Sequence, residues 1–259
     1  MRLLMFQMEN STRLGALANQ QVIDLQLAYL EYCHSNGKPG GFKHHFDSLK
    51  ALLAAPAEVW EAASESIRFI TAEFIHEGST TGDIFVTHQE ISLLAPIQRP
   101  GKVICIAGNF PAAGKPDAPD YPVVFLKPSS SVTGPGMPVR IPEIATSVAV
   151  EVELAVVLAK RACRITTQEA LSCIGGYSLA NDLGDRDLEK RSSQWTSGKM
   201  FDTFTPLGPC LVTPDEVPDP QNLSMETWVN DQQVQSGHTS EMFFGVNFLV
   251  SYLSHLTSL

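Results

Sequence analysis

Two glutamates stand one residue apart inside an apolar run, VAVEVELAVVL, residues 148–158. Strand side chains alternate between faces. Glu151 and Glu153 therefore share one face with Ala149, Ala155 and Val157, opposite an apolar face of Val150, Val152, Leu154, Val156 and Leu158. Their Cα atoms would lie about 6.6 Å apart at the usual strand rise. Two ionised carboxylates that close, in an apolar strand, repel each other and lose hydration. A proton, a basic partner or a metal ion relieves that cost. A solvated face beside Lys160 and Arg161 avoids it. Further on, NDLGDRDLEKRSSQWTSGKMFD, residues 181–202, supplies Asp182, Asp185, Arg186, Asp187 and Lys199. The two glutamates and one of these aspartates would form a hard oxygen set suited to Mg²⁺, Mn²⁺ or Ca²⁺. About three positions of an octahedral ion would stay open for water or substrate. Arg186 and Lys199 would then serve an anionic substrate. A surface loop with ordinary ion pairs is the alternative.

The elements that must position these residues are short. Strands are predicted at Arg2–Phe6, Arg13–Leu17 and Val22–Leu25, then helices around Phe46–Ala55 and Ala57–Thr71, with Pro56 breaking the pattern between them. APIQRPGK, residues 95–102, reads as a linker. Beyond it, β-rich runs alternate with turn clusters: VICIAG, YPVVFLK, SSSVTGPGMPVRIP and the glutamate strand. Thr166-Thr167-Gln168-Glu169 has capping-box spacing and predicts a helix through about Cys173. GGYSLANDLGDRD returns to a strand and a turn, and the tail from Glu241 to Leu259 reads as an amphipathic helix. The expectation is an α+β chain: a small N-terminal α+β domain over residues 1–95 and a mainly β second domain with a few helices over 96–259.

Composition limits the function classes. With 44% hydrophobic and 18% charged residues, the 259-residue chain reads as soluble and globular. A net charge of −10 without basic runs argues against nucleic acid and anionic membranes as partners. No apolar run reaches the roughly 18 residues of a membrane span. Five scattered cysteines without a CxxC pair read as free thiols in a reducing compartment. The expected location is cytoplasmic, with a mitochondrial one left open. GxGxxG, GxxxxGK[ST] and GxSxG are absent, so nucleotide loops and a serine-nucleophile elbow lack support. His44-His45 diverge on any regular element, and His238 reads as solvated.

Several segments together resemble the fumarylacetoacetate hydrolase family. They are RLGAL, YPVVFLKPSSSVTGPG, EVELAVVL, GGYSLANDLGDRD, GKMFDTFTPLGPCLVT and VNDQQVQSGHTSEMFF, in the family's order and over nearly the whole chain. The resemblance implies a mixed β-roll or barrel-like sheet behind a small leading domain. It implies Mg²⁺, with Mn²⁺ or Ca²⁺ as alternatives, held by Glu151, Glu153 and Asp182. It also implies a small-molecule 2-oxo acid substrate and a homodimer. Arg186 and Lys199 match the active-site cations. Ser129 or Ser131 would touch a substrate carboxylate. Glu189 stands where some members have a substrate-touching glutamine, and Gln235 matches the motif after the VND turn.

Two departures accompany the resemblance. The family's N-Y-x-x-H-x-x-E stretch, whose histidine and glutamate activate water, is here AGNFPAAGKPDAP. Asn109 and Phe110 fit, but Ala113 falls at the histidine and Pro116 at the glutamate, and neither can move a proton. The chain also stops at Leu259, before the family's G-D-x-I-x-T-G-T-P segment, so the last strands are expected to be missing. The default activity by resemblance is metal-dependent C–C bond hydrolysis of acylpyruvate-type acids. The residue chemistry tilts toward decarboxylation or keto–enol isomerisation of a 2-oxo diacid, or toward a catalytically silent binding protein.

Overall fold

The computed structural model describes the chain except residues 19, 74–83, 88, 90 and 112–116. The sequence positions Ala113 and Pro116 therefore lie outside the described residues. The chain forms two compact units. One holds residues 1–97 with 134–136 and 208–216; the other holds 98–133, 137–207 and 217–259.

The first unit opens with β1 (Arg2–Met8), β2 (Ser11–Ala18) and β3 (Gln21–Asp24), followed by α1 (Leu25–Ser35), α2 (Leu49–Leu53), α3 (Ala57–Glu73), β4 (Phe85–Val86) and β5 (Ser92–Leu94). β1 pairs antiparallel with β2, Leu3 opposite Ala16, and with β5, Met5 opposite Leu94. Leu3, Leu4, Met5 and Phe6 are all buried, so β1 is covered on both faces and lacks the alternation of a half-exposed strand. Leu4 and Phe6 pack with Val22 and Val86. Ile23, Ala28, Ile70 and Ile84 form a separate cluster with the helices. The expected strand Val22–Leu25 ends one residue early. Asp24 caps α1, its Oδ1 accepting from the Leu27 N–H at 3.1 Å. That cap begins a helix that sequence pattern alone does not predict.

The second unit is mainly β, in an overall α+β fold. It contains β6 (Val103–Ala107), β7 (Val123–Lys127), β8 (Val132–Thr133), β9 (Val148–Ala149), β10 (Val152–Leu158), α4 (Thr167–Ala170), β11 (Ile174–Asn181), β12 (Gly184–Asp185), α5 (Arg186–Lys190) and α6 (Thr196–Lys199). β13 (Thr205–Val212) follows, then the hairpin β14 (Ser224–Val229) and β15 (Gln232–His238), and α7 (Val246–Leu256). The last residues of β13 belong to the first unit, where Leu211 pairs with Leu3. Thr166 and Glu169 form the expected capping box, and the α4 turn runs on as a 3₁₀ turn to Cys173. The tail helix is shorter than expected, starting at Val246 after Gly245. Leu154, Val156 and Leu158 pack on Ile174, Tyr177, Val246 and Val250, as the apolar face of the glutamate strand requires.

Candidate active site

The run 148–158 is two strands and not one. β10 pairs with β11, Glu153 opposite Ala180, whereas β9 pairs with β12, Ala149 opposite Gly184. Both ladders break at the same level. At the break the Glu151 N–H donates to Asn181 Oδ1 at 3.0 Å and the Asp182 N–H donates to the Glu151 carbonyl at 2.8 Å. The interruption sets Glu151 beside Asp182, with Glu153 just inside β10. The hairpin fixes the residue between the two glutamates: Gln235 Oε1 accepts from the Val152 N–H at 2.7 Å, and its Nε2 donates to the Val152 carbonyl at 3.4 Å.

Asp182 is buried between two lysines. Lys127 Nζ donates to Asp182 Oδ1 at 2.5 Å and to the Leu183 and Phe204 carbonyls, each at 2.9 Å. Lys199 Nζ donates to Asp182 Oδ2 and to Glu151 Oε2, each at 2.6 Å. Burial lowers the Lys127 pKa below its ordinary value, only partly opposed by its single carboxylate partner. Burial acts the same way on Lys199, but Asp182 and Glu151 together outweigh it and hold that pKa above its ordinary value. Glu151 is held below the usual carboxylate range: burial opposes ionisation, and Lys199 and Arg186 outweigh it.

α5 supplies the next layer. Asp185 is fully buried and caps the helix, accepting from Leu188 N at 2.8 Å, Thr146 N at 2.6 Å and Ser147 N at 2.7 Å. Asp187 accepts from the Thr146 hydroxyl. Both aspartates are structural. Arg186 donates to Glu151 Oε1 and, at 2.8 Å, to Glu189 Oε2. Glu189 Oε1 lies 3.9 Å from Lys199 Nζ and is buried without a hydrogen-bond partner. Two glycines permit this crowding. A Cβ on Gly184 would stand 2.2 Å from Glu189 Oε1 and 2.8 Å from Lys199 Cδ, and one on Gly198 would stand 2.6 Å from the Asp185 carbonyl.

These groups line one cavity of about 380 Å³, with Glu151, Glu153, Asp182, Arg186, Glu189, Lys190 and Lys199 as its charged residues and Cys105, Ile106, Phe125 and Trp195 among the rest. Trp195 meets Phe125 edge-on, ring centroids 6.2 Å apart. Burial, with the charge of Asp182 behind it, pushes the Cys105 thiol up to about 12, so it stays protonated at neutral pH.

The structure thus brings together Glu151, Glu153, Asp182, Arg186, Glu189 and Lys199. It does not bring in the other expected substrate contacts. The Ser129 hydroxyl donates to the Pro100 carbonyl. Ser131 is fully buried, donating to the Pro128 carbonyl at 2.7 Å and sharing a hydrogen bond with Thr205. Both hydroxyls are engaged by neighbouring backbone, and neither serine lines the cavity. Gln235 is likewise absent from the lining because its amide is committed to Val152. Asn109 ties its loop to Phe244, donating to that carbonyl and accepting from that N–H. His238 bonds Ser240, away from the cavity.

Among the described residues, no three His, Cys, Asp or Glu side chains are gathered closely enough to ligate one ion as they stand. The reason is the Lys199 ammonium, which occupies the space between Glu151 and Asp182. The donor set still fits a hard divalent cation. Asp182 keeps Oδ1 on Lys127 and turns Oδ2 toward the position that Glu151 Oε2 also faces. The Glu153 carboxyl has no hydrogen bond or ion pair among the described residues. Burial, then the charges of Asp182 and Glu151, push its carboxyl up to about 8. A carboxyl so placed gains most from an added cation.

Sequence reasoning missed Lys127, Phe125, Trp195 and Lys190. For Lys127 a signal existed: alternation along β7 puts it on the face of Phe125, so a lysine shares a buried face.

Residues 102–259 match the family model described as fumarylacetoacetate (FAA) hydrolase, C-terminal. The chain is 40% identical over 179 residues to oxaloacetate tautomerase fahd2, mitochondrial, of Xenopus laevis, which covers 67% of this chain and 56% of that protein. The chain thus spans little more than half the length of that relative. It is 34% identical over 264 residues to the fumarylacetoacetate hydrolase domain-containing protein 2 homolog of Dictyostelium discoideum, covering 97% of this chain and 79% of that one. The fumarylacetoacetate hydrolase of Exiguobacterium antarcticum superposes with a TM-score of 0.76 at 27% identity, over 100% of this chain and 83% of that one.

Proposed function

We infer, from the premise that the chain belongs to the fumarylacetoacetate hydrolase family, that it interconverts the keto and enol forms of a short 2-oxo acid with a divalent cation bound by Glu151, Glu153 and Asp182. One observation carries this reading. The Lys199 ammonium is seated on Glu151 and Asp182 inside a cavity that has no histidine among the described residues lining it. Tautomerisation requires a positive donor at the oxygen that gains charge and a route for one proton. The cation, when bound, supplies Lewis-acid polarisation of the keto group.

The chain's own residues supply the charged donors and the cavity wall. Lys199, the ammonium that bridges Glu151 and Asp182, stabilises the developing oxyanion. Arg186 is held by Glu151 and Glu189, so it shapes the cluster and adds positive potential without leaving its partners. Lys190 lines the cavity and has no carboxylate partner among the described residues. It is suited to a second substrate carboxylate, which favours a 2-oxo diacid. Phe125, Trp195 and Ile106 exclude water from one side and strengthen the electrostatic contacts. Hydrolysis needs an activated water as well. The family's proton-moving pair is replaced by Ala113 and Pro116, so hydrolysis of C–C bonds, the default by resemblance, becomes the second reading. The name of the frog relative describes a tautomerase of the same substrate class. A homodimer in a reducing compartment completes the proposal. Gel filtration with light scattering checks the assembly.

The test follows the enol absorbance of oxaloacetate after metal removal and on adding back Mg²⁺ or Mn²⁺. Cation-dependent acceleration should fall at least about 100-fold in Glu153→Ala. Cleavage of acylpyruvates at a kcat/KM equal to or above that for tautomerisation would overturn the reading in favour of hydrolysis.

A further inference from the structure

We propose that Glu189 is a second seat for the Lys199 side chain, taken when a divalent cation enters between Glu151 and Asp182. The proposal rests on the cation-binding reading above and extends it to how the site accommodates the ion. A cation and an ammonium cannot share that space: Nζ already stands 2.6 Å from both carboxylates. Lys199 is buried, 5% exposed. A displaced ammonium without a new partner would be an uncompensated buried charge.

The new partner is already in place. Glu189 Oε1 is the one buried side-chain oxygen or nitrogen among the described residues that lacks a hydrogen bond. It lies 3.9 Å from Nζ, so a shift of about 1 Å brings the pair to charge-assisted hydrogen-bond distance. Arg186 holds the other oxygen, Oε2, at 2.8 Å, which keeps the carboxylate from turning away. Gly184 leaves the path bare: its missing Cβ would fall 2.2 Å from Oε1 and 2.8 Å from Lys199 Cε. Leaving an acceptor unsatisfied in this position costs free energy. That cost is recovered when Lys199 arrives. Glu189 is therefore a positioning residue, which keeps the ammonium at the edge of the cation site and away from solvent.

Mn²⁺ alone is the probe, with the whole chain. In a crystal structure with Mn²⁺ bound, Lys199 Nζ should lie within hydrogen-bond distance of Glu189 Oε1 and have left Asp182 Oδ2. Calorimetric titration compares the parent with Glu189→Gln and Asp187→Asn. Each variant removes one negative charge from α5, but Asp187 faces Thr146 and not Lys199. Glu189→Gln should bind Mn²⁺ roughly tenfold more weakly, because a neutral amide replaces a charged acceptor. Asp187→Asn should change the affinity by less than about threefold. Matching circular dichroism and melting without Mn²⁺ verifies that both variants fold. Equal losses in the two variants overturn the proposal, leaving only long-range charge. So does a Mn²⁺ complex in which Nζ stays on Asp182 or points to solvent. No Mn²⁺ binding by the parent overturns the cation reading itself, and this proposal with it.

Discussion

Replacing Lys127 by Met should cost the second unit more stability than any surface change. Lys127 Nζ makes three hydrogen bonds, to Asp182 Oδ1 at 2.5 Å and to the Leu183 and Phe204 carbonyls at 2.9 Å, and its side chain is 0% exposed. Methionine keeps most of the volume and none of the donors. Breaking a buried ion pair from one side costs about 3–5 kcal/mol. Lys199 still compensates Asp182 through Oδ2, which argues for the lower part of that range. The methylene stem stays buried, so no large cavity adds to it. The expectation is about 3 kcal/mol, or a melting point lower by about 6–12 °C for a domain of this size. Calorimetry and urea titration measure it, with Asp182→Asn and the double variant completing a cycle. A coupling of at least about 2 kcal/mol is expected between the two sites. A Lys127→Met protein melting within about 2 °C of the parent, or two strictly additive variants, would refute the argument that this lysine carries Asp182.

Three further outcomes are expected. Because the folded-state pKa of Glu153 is raised from 4.5 to about 8, its contribution to stability is full below about pH 4.5 and is lost as pH rises through about 8. The metal-free parent should therefore lose melting temperature across that window, by at most about 5 kcal/mol of stability, and Glu153→Gln should flatten the curve; parallel curves count against it. Gly184→Ala should cost about 1–3 kcal/mol by overpacking Glu189 and Lys199, whereas Gly101→Ala, with nothing within 4 Å of the added Cβ, should stay within about 0.5 kcal/mol. Gln235→Ala should cost about 1–2 kcal/mol and speed hydrogen exchange at the Val152 amide, since that N–H loses its acceptor; unchanged exchange would show that the hairpin does not hold Val152.

The legible parts of this chain were those with local rules. The capping box at Thr166 and Glu169 and the apolar face of β10 follow from spacing alone. The carboxylate cluster was legible because two glutamates in an apolar run demand compensation wherever they fold. What spacing could not supply was the partner. Lys127 sits buried while its neighbour Leu126 is 57% exposed, the reverse of what hydropathy dictates. Only the tertiary position of Asp182 explains that inversion. The split of 148–158 into two strands escaped detection because nothing in its composition marks a change of pairing partner. Ser129 and Ser131 are not among the cavity's lining residues, because hydroxyls in a turn serve nearby backbone as readily as a ligand. α1 was missed because its cap, Asp24, also ends a strand.

The edge-on meeting of Trp195 with Phe125 in the cavity wall has an optical consequence. The chain contains three tryptophans, and of these only Trp195 is among the cavity's lining residues. Trp60 lies in α3, and Trp228 stands 58% exposed on the hairpin. A Trp60→Phe, Trp228→Phe double variant would leave a single fluorophore whose emission depends on what fills the cavity. A paramagnetic ion or a keto acid entering there would quench it, so occupancy becomes measurable in a cuvette, in real time and without any turnover.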